Sequence, residues 1–197
     1  MSSASSSPGR CRSNSRRPQP QEVSATSLQT LIDSVEGDCV LKILRDQNYW
    51  ICELASCLSA EQVDRVHPPY QWSVRQVIEH VVDAERVNGY RMMRFAAGDV
   101  TELPGWDENV YADSRFGLGN IHHLITELGA LRQANVALLQ RLSPKAWDRS
   151  GVADGHRLSV RALAWVTAGH LQHHWSILEK RCEIRVDRGP AEQSSMS

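Results

Sequence analysis

The sequence predicts an all-α protein built around a four-helix bundle. Apolar residues recur at three- and four-residue steps in four long segments, these segments begin at recognisable cap residues, and no segment alternates with period two over a length typical of a strand. The 197 residues are 41% hydrophobic with a net charge of −1, which suits one domain of about 150 residues. This charge balance gives no reason to expect nucleic acid or a membrane as the main partner.

Both ends of the chain are predicted to lie outside the bundle. Residues 1–34 are rich in Ser, Arg and Pro and poor in apolar side chains, so we expect a disordered tail. Its Arg-rich character also resembles a transit peptide or a nucleic-acid-binding arm, although a dispensable tail is the simpler interpretation. Residues 183–197 are expected to be a second flexible tail, which leaves residues 35–182 for the bundle. Five cysteines without CxxC spacing predict free thiols and a cytoplasmic location.

The first two helices are predicted from their apolar residues and their ends. The first runs from about residue 38 to 58, where its apolar residues are Val40, Leu41, Leu44, Trp50, Ile51, Leu54 and Leu58. The second begins at Ser73, because the motif SVRQ lets Ser73 and Gln76 cap each other's backbone amides. Gly98 is its predicted end.

The third and fourth helices complete the set. The third spans about residues 120–142, and the fourth about residues 159–181 with Ser159 as its N-cap. Longer connections over about residues 99–119 and 143–158 separate the last three helices. Four long amphipathic helices joined in this way imply a four-helix bundle.

The fourth helix carries three histidines within five residues, in the segment GHLQHHWSIL. His170 and His174 lie about 40° apart within the apolar stripe, so both are expected to point into the core. His173 falls at the edge of the stripe and is a weaker candidate. Buried imidazoles need either hydrogen bonds to polar neighbours or a metal ion, and this pair alone leaves both explanations open.

A third histidine favours the metal ion. His80 borders the apolar stripe of the second helix, so the two helices together would form a three-nitrogen site with an open coordination position, which favours catalysis. Imidazole suits Zn²⁺, Ni²⁺ and Fe²⁺ alike, with Zn²⁺ the first expectation. Asp83, one turn further on, is either an acid that orients His80 or a solvated helix residue. Because no Glu follows His170, the HExxH motif of metalloproteases is excluded.

Three blocks of the chain resemble the DinB-like superfamily of damage-inducible bacterial proteins. They are YQWSVRQVIEHVVDAERVNGYRMMRFAAGD, LPGWDENVYAD and HRLSVRALAWVTAGHLQHHWSILEKR, and the resemblance covers about residues 35–182. It implies an up-up-down-down bundle and a divalent metal ion held by His80, His170 and His174, the histidines that helix geometry also selects. Many relatives have an acid directly after the first histidine of the closing motif, where this chain has Leu171.

The loop PGWDEN is the second candidate part of the site. The resemblance implies that this region lies near the metal, so that Trp106 would line a pocket and Asp107 or Glu108 would act as a base or hydrogen-bond acceptor. Ordinary turn chemistry after Pro104 and Gly105 is the alternative.

The resemblance also implies a function. Characterised branches suggest a metal-dependent thiol S-transferase that uses a low-molecular-weight thiol as cosubstrate, since a divalent cation makes a bound thiolate available near neutral pH. Hydrolysis by an activated water and a non-enzymatic, metal-binding stress-response protein are the alternatives. We expect a small-molecule substrate, no membrane partner and, as in many relatives, a homodimer.

Overall fold

A computed structural model describes residues 13–114 and 120–185. After two short 3-10 turns, its elements are α1 (Thr26–Asp33), α2 (Val40–Cys57), α3 (Ala60–Asp64), α4 (Val74–Ala97), α5 (Glu108–Ser114), α6 (Ile121–Arg141), α7 (Pro144–Trp147), β1 (Ser150–Ala153), β2 (His156–Ser159) and α8 (Val160–Cys182). The long helices α2, α4, α6 and α8 form the bundle, so the predicted fold class is confirmed. In the described part of the chain, no helix combines the length and the apolarity needed to cross a membrane.

The ends of the bundle helices lie within two residues of their predicted positions, and the predicted caps of α4 and α8 form. The Ser73 hydroxyl accepts a hydrogen bond from the Gln76 amide at 3.3 Å, and the Gln76 side chain accepts one from the Ser73 amide at 2.9 Å. Ser159 caps α8 by accepting from the Ala162 amide at 2.9 Å. Gly98 ends α4 with a φ of 83°, a left-handed conformation that glycine adopts without strain.

The helix directions differ from the up-up-down-down order that the resemblance implies. One buried cluster contains the first turns of α2 and α8 and the last turns of α4 and α6, and a second cluster contains their opposite ends. Helices α2 and α8 therefore run one way and α4 and α6 the other, which is an up-down-down-up order. The reason lies in the connections: α3 and its loop turn the chain back after α2, whereas residues 98–114 return along α4.

The prediction of disorder over residues 1–34 is wrong for residues 13–34. Ile32 of α1 is buried in the core, and Arg17 donates hydrogen bonds to the carbonyls of Ile32 and Gly37 at 3.0 and 3.3 Å. The Arg17 guanidinium also lies 4.6 Å from the centre of the Trp165 ring. Apolar side chains of α1 and the polar contacts of Arg17 together order this segment, and its overall composition reveals neither.

Residues 183–185, the start of the predicted C-terminal tail, continue from α8: the Ile184 amide donates to the Glu179 carbonyl at 3.1 Å, and Ile184 packs against the core. The rest of the two predicted tails cannot be compared with the structure. Residues 1–12 and 186–197 lie outside the described residues.

The connection after α6 contains a β-hairpin that the sequence analysis does not predict. Its strands have four residues each, too few for a period-two pattern to stand out. Asp154 and Gly155 form the turn with φ values of 54° and 71°. The hairpin also holds the segment between α4 and α5: the Leu103 amide donates to the Val152 carbonyl, and the Asp154 amide donates to the Leu103 carbonyl, both at 3.0 Å. This attachment places the next residues, 104–108, beside α4.

Candidate metal centre

Helices α4 and α8 bring together the three histidines that the sequence analysis selects. The Nε2 atom of His80 lies 3.0 Å from that of His170 and 3.1 Å from that of His174, and the last two atoms are 3.1 Å apart. His170 and His174 are one turn apart on α8, which runs antiparallel to α4 at this level. His80 is buried, whereas His170 and His174 keep some solvent exposure. The three side chains therefore converge on one point that solvent can reach.

The donor set fits a single divalent cation. Three nitrogens bound to one Zn²⁺ at about 2.0–2.1 Å stand roughly 3.3 Å apart in a tetrahedral arrangement, and the observed separations of 3.0–3.1 Å are close to this value. Hydrogen bonding alone satisfies the cluster less well. A neutral imidazole has one N–H and one lone pair, and three Nε2 atoms that face one another cannot all be paired.

The electrostatic environment keeps the imidazoles neutral, the form that binds metal. Burial lowers the pKa of His80 to about 4, with a smaller effect of His173. Burial and the neighbouring charges of His80, His173 and Arg132 lower the pKa of His170 to about 3. Burial, followed by the effects of His170, His80 and His173, lowers the pKa of His174 to about 2. At neutral pH, protons therefore do not compete for these nitrogens.

Aromatic rings enclose His80. The Trp106 ring stacks on it with centroids 5.4 Å apart and an interplanar angle of 14°, and the tilted Trp72 ring lies 5.3 Å away. Tyr111 of α5 packs edge-on against Trp106 at 5.2 Å. The carboxylate Oε2 of Glu108 lies 3.6 Å from Nε2 of His80. The PGWDEN loop therefore reaches the histidines.

Comparisons with known proteins agree with this architecture. The family model of the DinB superfamily matches residues 51–178. The chain belongs to the DinB superfamily. A protein of Oceanobacillus iheyensis, OB0413, which is provisionally named a metal-dependent hydrolase, is 25% identical over 130 residues, covering 61% of this chain and 73% of its own. The structure of YfiT from Bacillus subtilis superposes on this chain with a TM-score of 0.62 at 18% sequence identity. The match covers 87% of this chain and 99% of YfiT, which is described as a probable metal-dependent hydrolase with an unusual four-helix bundle topology.

The two acids of the PGWDEN loop, Asp107 and Glu108, have different surroundings. Asp107 accepts hydrogen bonds from the amides of Asn109 and Val110 at 3.0 and 3.2 Å, so it caps α5 and matches the alternative of ordinary turn chemistry. Glu108 is exposed and faces His80. An open cavity of about 650 Å³ lies beside them, lined by Gly105, Trp106, Asp107, Glu108 and Asp154.

Other candidates from the sequence lie further from the cluster or have a different role. His173 is exposed on α8, as its position at the edge of the stripe predicts. Asp83 is buried, so it is not a solvated helix acid. Within the described ranges, however, Nδ1 of His80 has no hydrogen-bond partner, which means that Asp83 does not orient this ring. Trp72 is only partly buried and touches His80, whereas Trp175 lies in the core.

Proposed function

We propose that this member of the DinB superfamily is a divalent-metal-dependent hydrolase. His80, His170 and His174 hold the metal, and Glu108 accepts a proton from the nucleophile. The observation that carries the proposal is the position of the Glu108 carboxylate, 3.6 Å from Nε2 of His80 and beside an open cavity. The relatives named metal-dependent hydrolases support the reaction class. Zn²⁺ is the proposed ion, with Ni²⁺ or Fe²⁺ as alternatives because imidazole suits all three.

The metal and the protein residues make separate contributions. A bound divalent cation lowers the pKa of a water or thiol ligand and polarises a carbonyl oxygen. The histidines supply three neutral nitrogens as metal ligands. Glu108 is not part of this ligand group, whose atoms lie within 4.8 Å of one another, so its carboxylate stays available for proton transfer. Trp106 and Trp72 cover His80 and exclude water from it. The open cavity beside Trp106 and Glu108 leaves the carboxylate accessible from solvent.

Thiol S-transfer is the second candidate reaction. The same carboxylate can accept a proton from a low-molecular-weight thiol, and the cavity leaves room for such a cosubstrate. The two reactions differ in the nucleophile and therefore in the product, so a direct assay separates them. A metal-binding stress-response protein without turnover is the third possibility, and the same assay distinguishes it.

The test uses zinc-loaded protein with a panel of small esters and amides and, in parallel, monochlorobimane with several biological thiols. We expect hydrolysis, and we expect Glu108→Gln to lower kcat by about 10²–10⁴-fold, the usual contribution of a general base, without loss of zinc. Glu102→Gln is the matched control, because Glu102 is an exposed acid of the same segment.

Each outcome has a definite meaning. Conjugation of thiols without hydrolysis would assign the transferase reaction, and tight zinc binding without either reaction would assign a binding protein. Equal rates for Glu108→Gln and Glu102→Gln would contradict the role of Glu108.

A further inference from the structure

A chain of buried hydrogen bonds crosses all four bundle helices. The side-chain amide of Gln47 on α2 donates to the Ala168 carbonyl on α8 at 2.8 Å, and its Oε1 accepts from Arg132 on α6 at 2.6 Å. Arg132 also donates to the Glu85 carboxylate on α4 at 2.8 Å. Asn135 donates to the other oxygen of Glu85 at 2.8 Å. We call Gln47, Glu85, Arg132 and Asn135 the Gln47 network.

The Gln47 network lies next to the histidine cluster. Ala168 comes two residues before His170 on α8, and Glu85 comes five residues after His80 on α4. The network therefore connects the two histidine-bearing helices through α2 and α6, within about one and a half turns of the histidines themselves.

Net stability is a weak explanation for such a network. Gln47 and Arg132 are fully buried and Glu85 is 2% exposed, and replacing buried ion pairs by apolar residues of similar volume is often neutral or stabilising. Hydrogen bonds have a defined direction and length, however, whereas apolar contacts between helices tolerate small displacements along the axis. Buried polar groups are known to specify register between helices.

We propose that Gln47 is a positioning residue for the metal centre. It is the link of the network to α8, and through Arg132 and Glu85 it sets the axial position of α8 relative to α4. The three Nε2 atoms lie 3.0–3.1 Å apart, and a site whose ligands are held in place by supporting contacts binds metal more tightly than one that must rearrange. This inference rests on the metal centre of the proposed function, but not on the reaction.

The test compares Gln47→Met with two control variants. Methionine keeps the length and approximate volume of the side chain but removes both hydrogen bonds. Thr167→Val removes a buried hydrogen bond that stays within α8, from the Thr167 hydroxyl to the Leu163 carbonyl. Ile51→Val is a buried, apolar change one turn after Gln47 on α2 and controls for lower stability alone.

The affinity for Zn²⁺ is measured by competition with a chromophoric chelator, and the geometry by the visible absorption bands of the Co²⁺-loaded protein. We expect Gln47→Met to weaken Zn²⁺ binding at least tenfold, the lower end of the effects seen for residues that support metal ligands, and to alter the Co²⁺ bands. Both controls should stay within about threefold of the wild type, below that range.

A second variant covers the case in which Gln47→Met does not fold. Gln47→Glu keeps an acceptor for Arg132 but cannot donate to the Ala168 carbonyl, so it should also weaken Zn²⁺ binding. If either variant folds and keeps the Zn²⁺ affinity and Co²⁺ bands of the wild type, the positioning role of Gln47 is refuted and the metal centre is not. The same conclusion follows if Ile51→Val loses as much Zn²⁺ affinity as Gln47→Met. If the wild-type protein itself binds no divalent metal, the metal centre and the positioning role are refuted together.

Discussion

Acid should destabilise the metal-free protein at a pH where most proteins are still stable, because three histidines are held neutral in one cluster. Their folded-state pKa values of about 4, 3 and 2 for His80, His170 and His174 all lie below the value of 6.5 for an exposed histidine. The unfolded chain therefore binds more protons than the folded protein, and stability falls as the pH falls below about 7. The contribution is fully present above the unfolded pKa and is lost progressively towards the folded values.

The size of the effect follows from the same shifts. Between pH 7 and 5.5 the folded histidines stay neutral while those of the unfolded chain become protonated. This difference lowers the free energy of unfolding by about 1 kcal/mol for each histidine and by about 3–4 kcal/mol for the three. Total stabilities of domains are about 5–15 kcal/mol, so this is a large fraction. The Arg75 guanidinium lowers the pKa of Asp64 and the Arg94 guanidinium lowers that of Asp99, so neither carboxylate contributes in this window.

The assay is urea unfolding of chelator-treated protein, followed by circular dichroism at pH 7, 6 and 5.5. His174→Gln should reduce the loss of stability by about a third, since one of three similar terms disappears. His173→Gln should change the loss only slightly, because His173 is exposed and burial is the largest cause of the three pKa shifts. A loss below about 1 kcal/mol in the wild type, less than one histidine should contribute, would refute the neutral cluster. The same slope in His174→Gln would refute the part assigned to His174.

Three further predictions concern the metal and the helix packing. His174→Ala should lose bound metal and His173→Ala should retain it, as elemental analysis of the purified proteins will show, because only the first removes an atom of the nitrogen cluster. Zn²⁺ at a hundredfold excess over its Kd should raise the free energy of unfolding at pH 7 by about 2.7 kcal/mol, and unchanged urea curves would contradict binding to the folded state. Gly89→Ala should lower the free energy of unfolding by about 1–3 kcal/mol, because the new Cβ would lie 2.3 Å from Oδ1 of Asn135. Gly129→Ala, whose Cβ would have its nearest contact at 3.4 Å, should leave the free energy of unfolding unchanged or raise it.

The helices and the histidine cluster were predictable because their signals are local. A cap residue and a 3.6-residue period determine which side of a helix faces inward, and counting from Ser73 and Ser159 places His80 and His170 on similar sides of their helices. That two such faces meet at the same height depends on tertiary packing. The convergence of the side chains was therefore an expectation from the sequence, and the structure shows it.

The polar interior was harder to predict. Arg132 and Asn135 follow Leu128 at steps of four and three residues, and Leu139 comes four residues later, so both polar residues lie on the buried face of α6. This spacing was an available signal. Its interpretation requires the partners, Gln47 and Glu85, which come from two other helices, and no single-helix pattern identifies them.

The order of helix directions explains how the loop residues come to lie beside the histidines. Because α4 and α6 are parallel, the chain must travel from the end of α4 at Gly98 back to the end at which α6 begins, and the described part of this connection is residues 99–114. Leu103 ties the start of this segment to the hairpin, and Gln76 near the start of α4 donates to the Ala112 carbonyl of α5 at 3.2 Å. Residues between these two attachments must pass the level of His80. In an up-up-down-down bundle this connection would not need to run back along α4, so the topology itself brings Trp106 and Glu108 to the candidate metal centre.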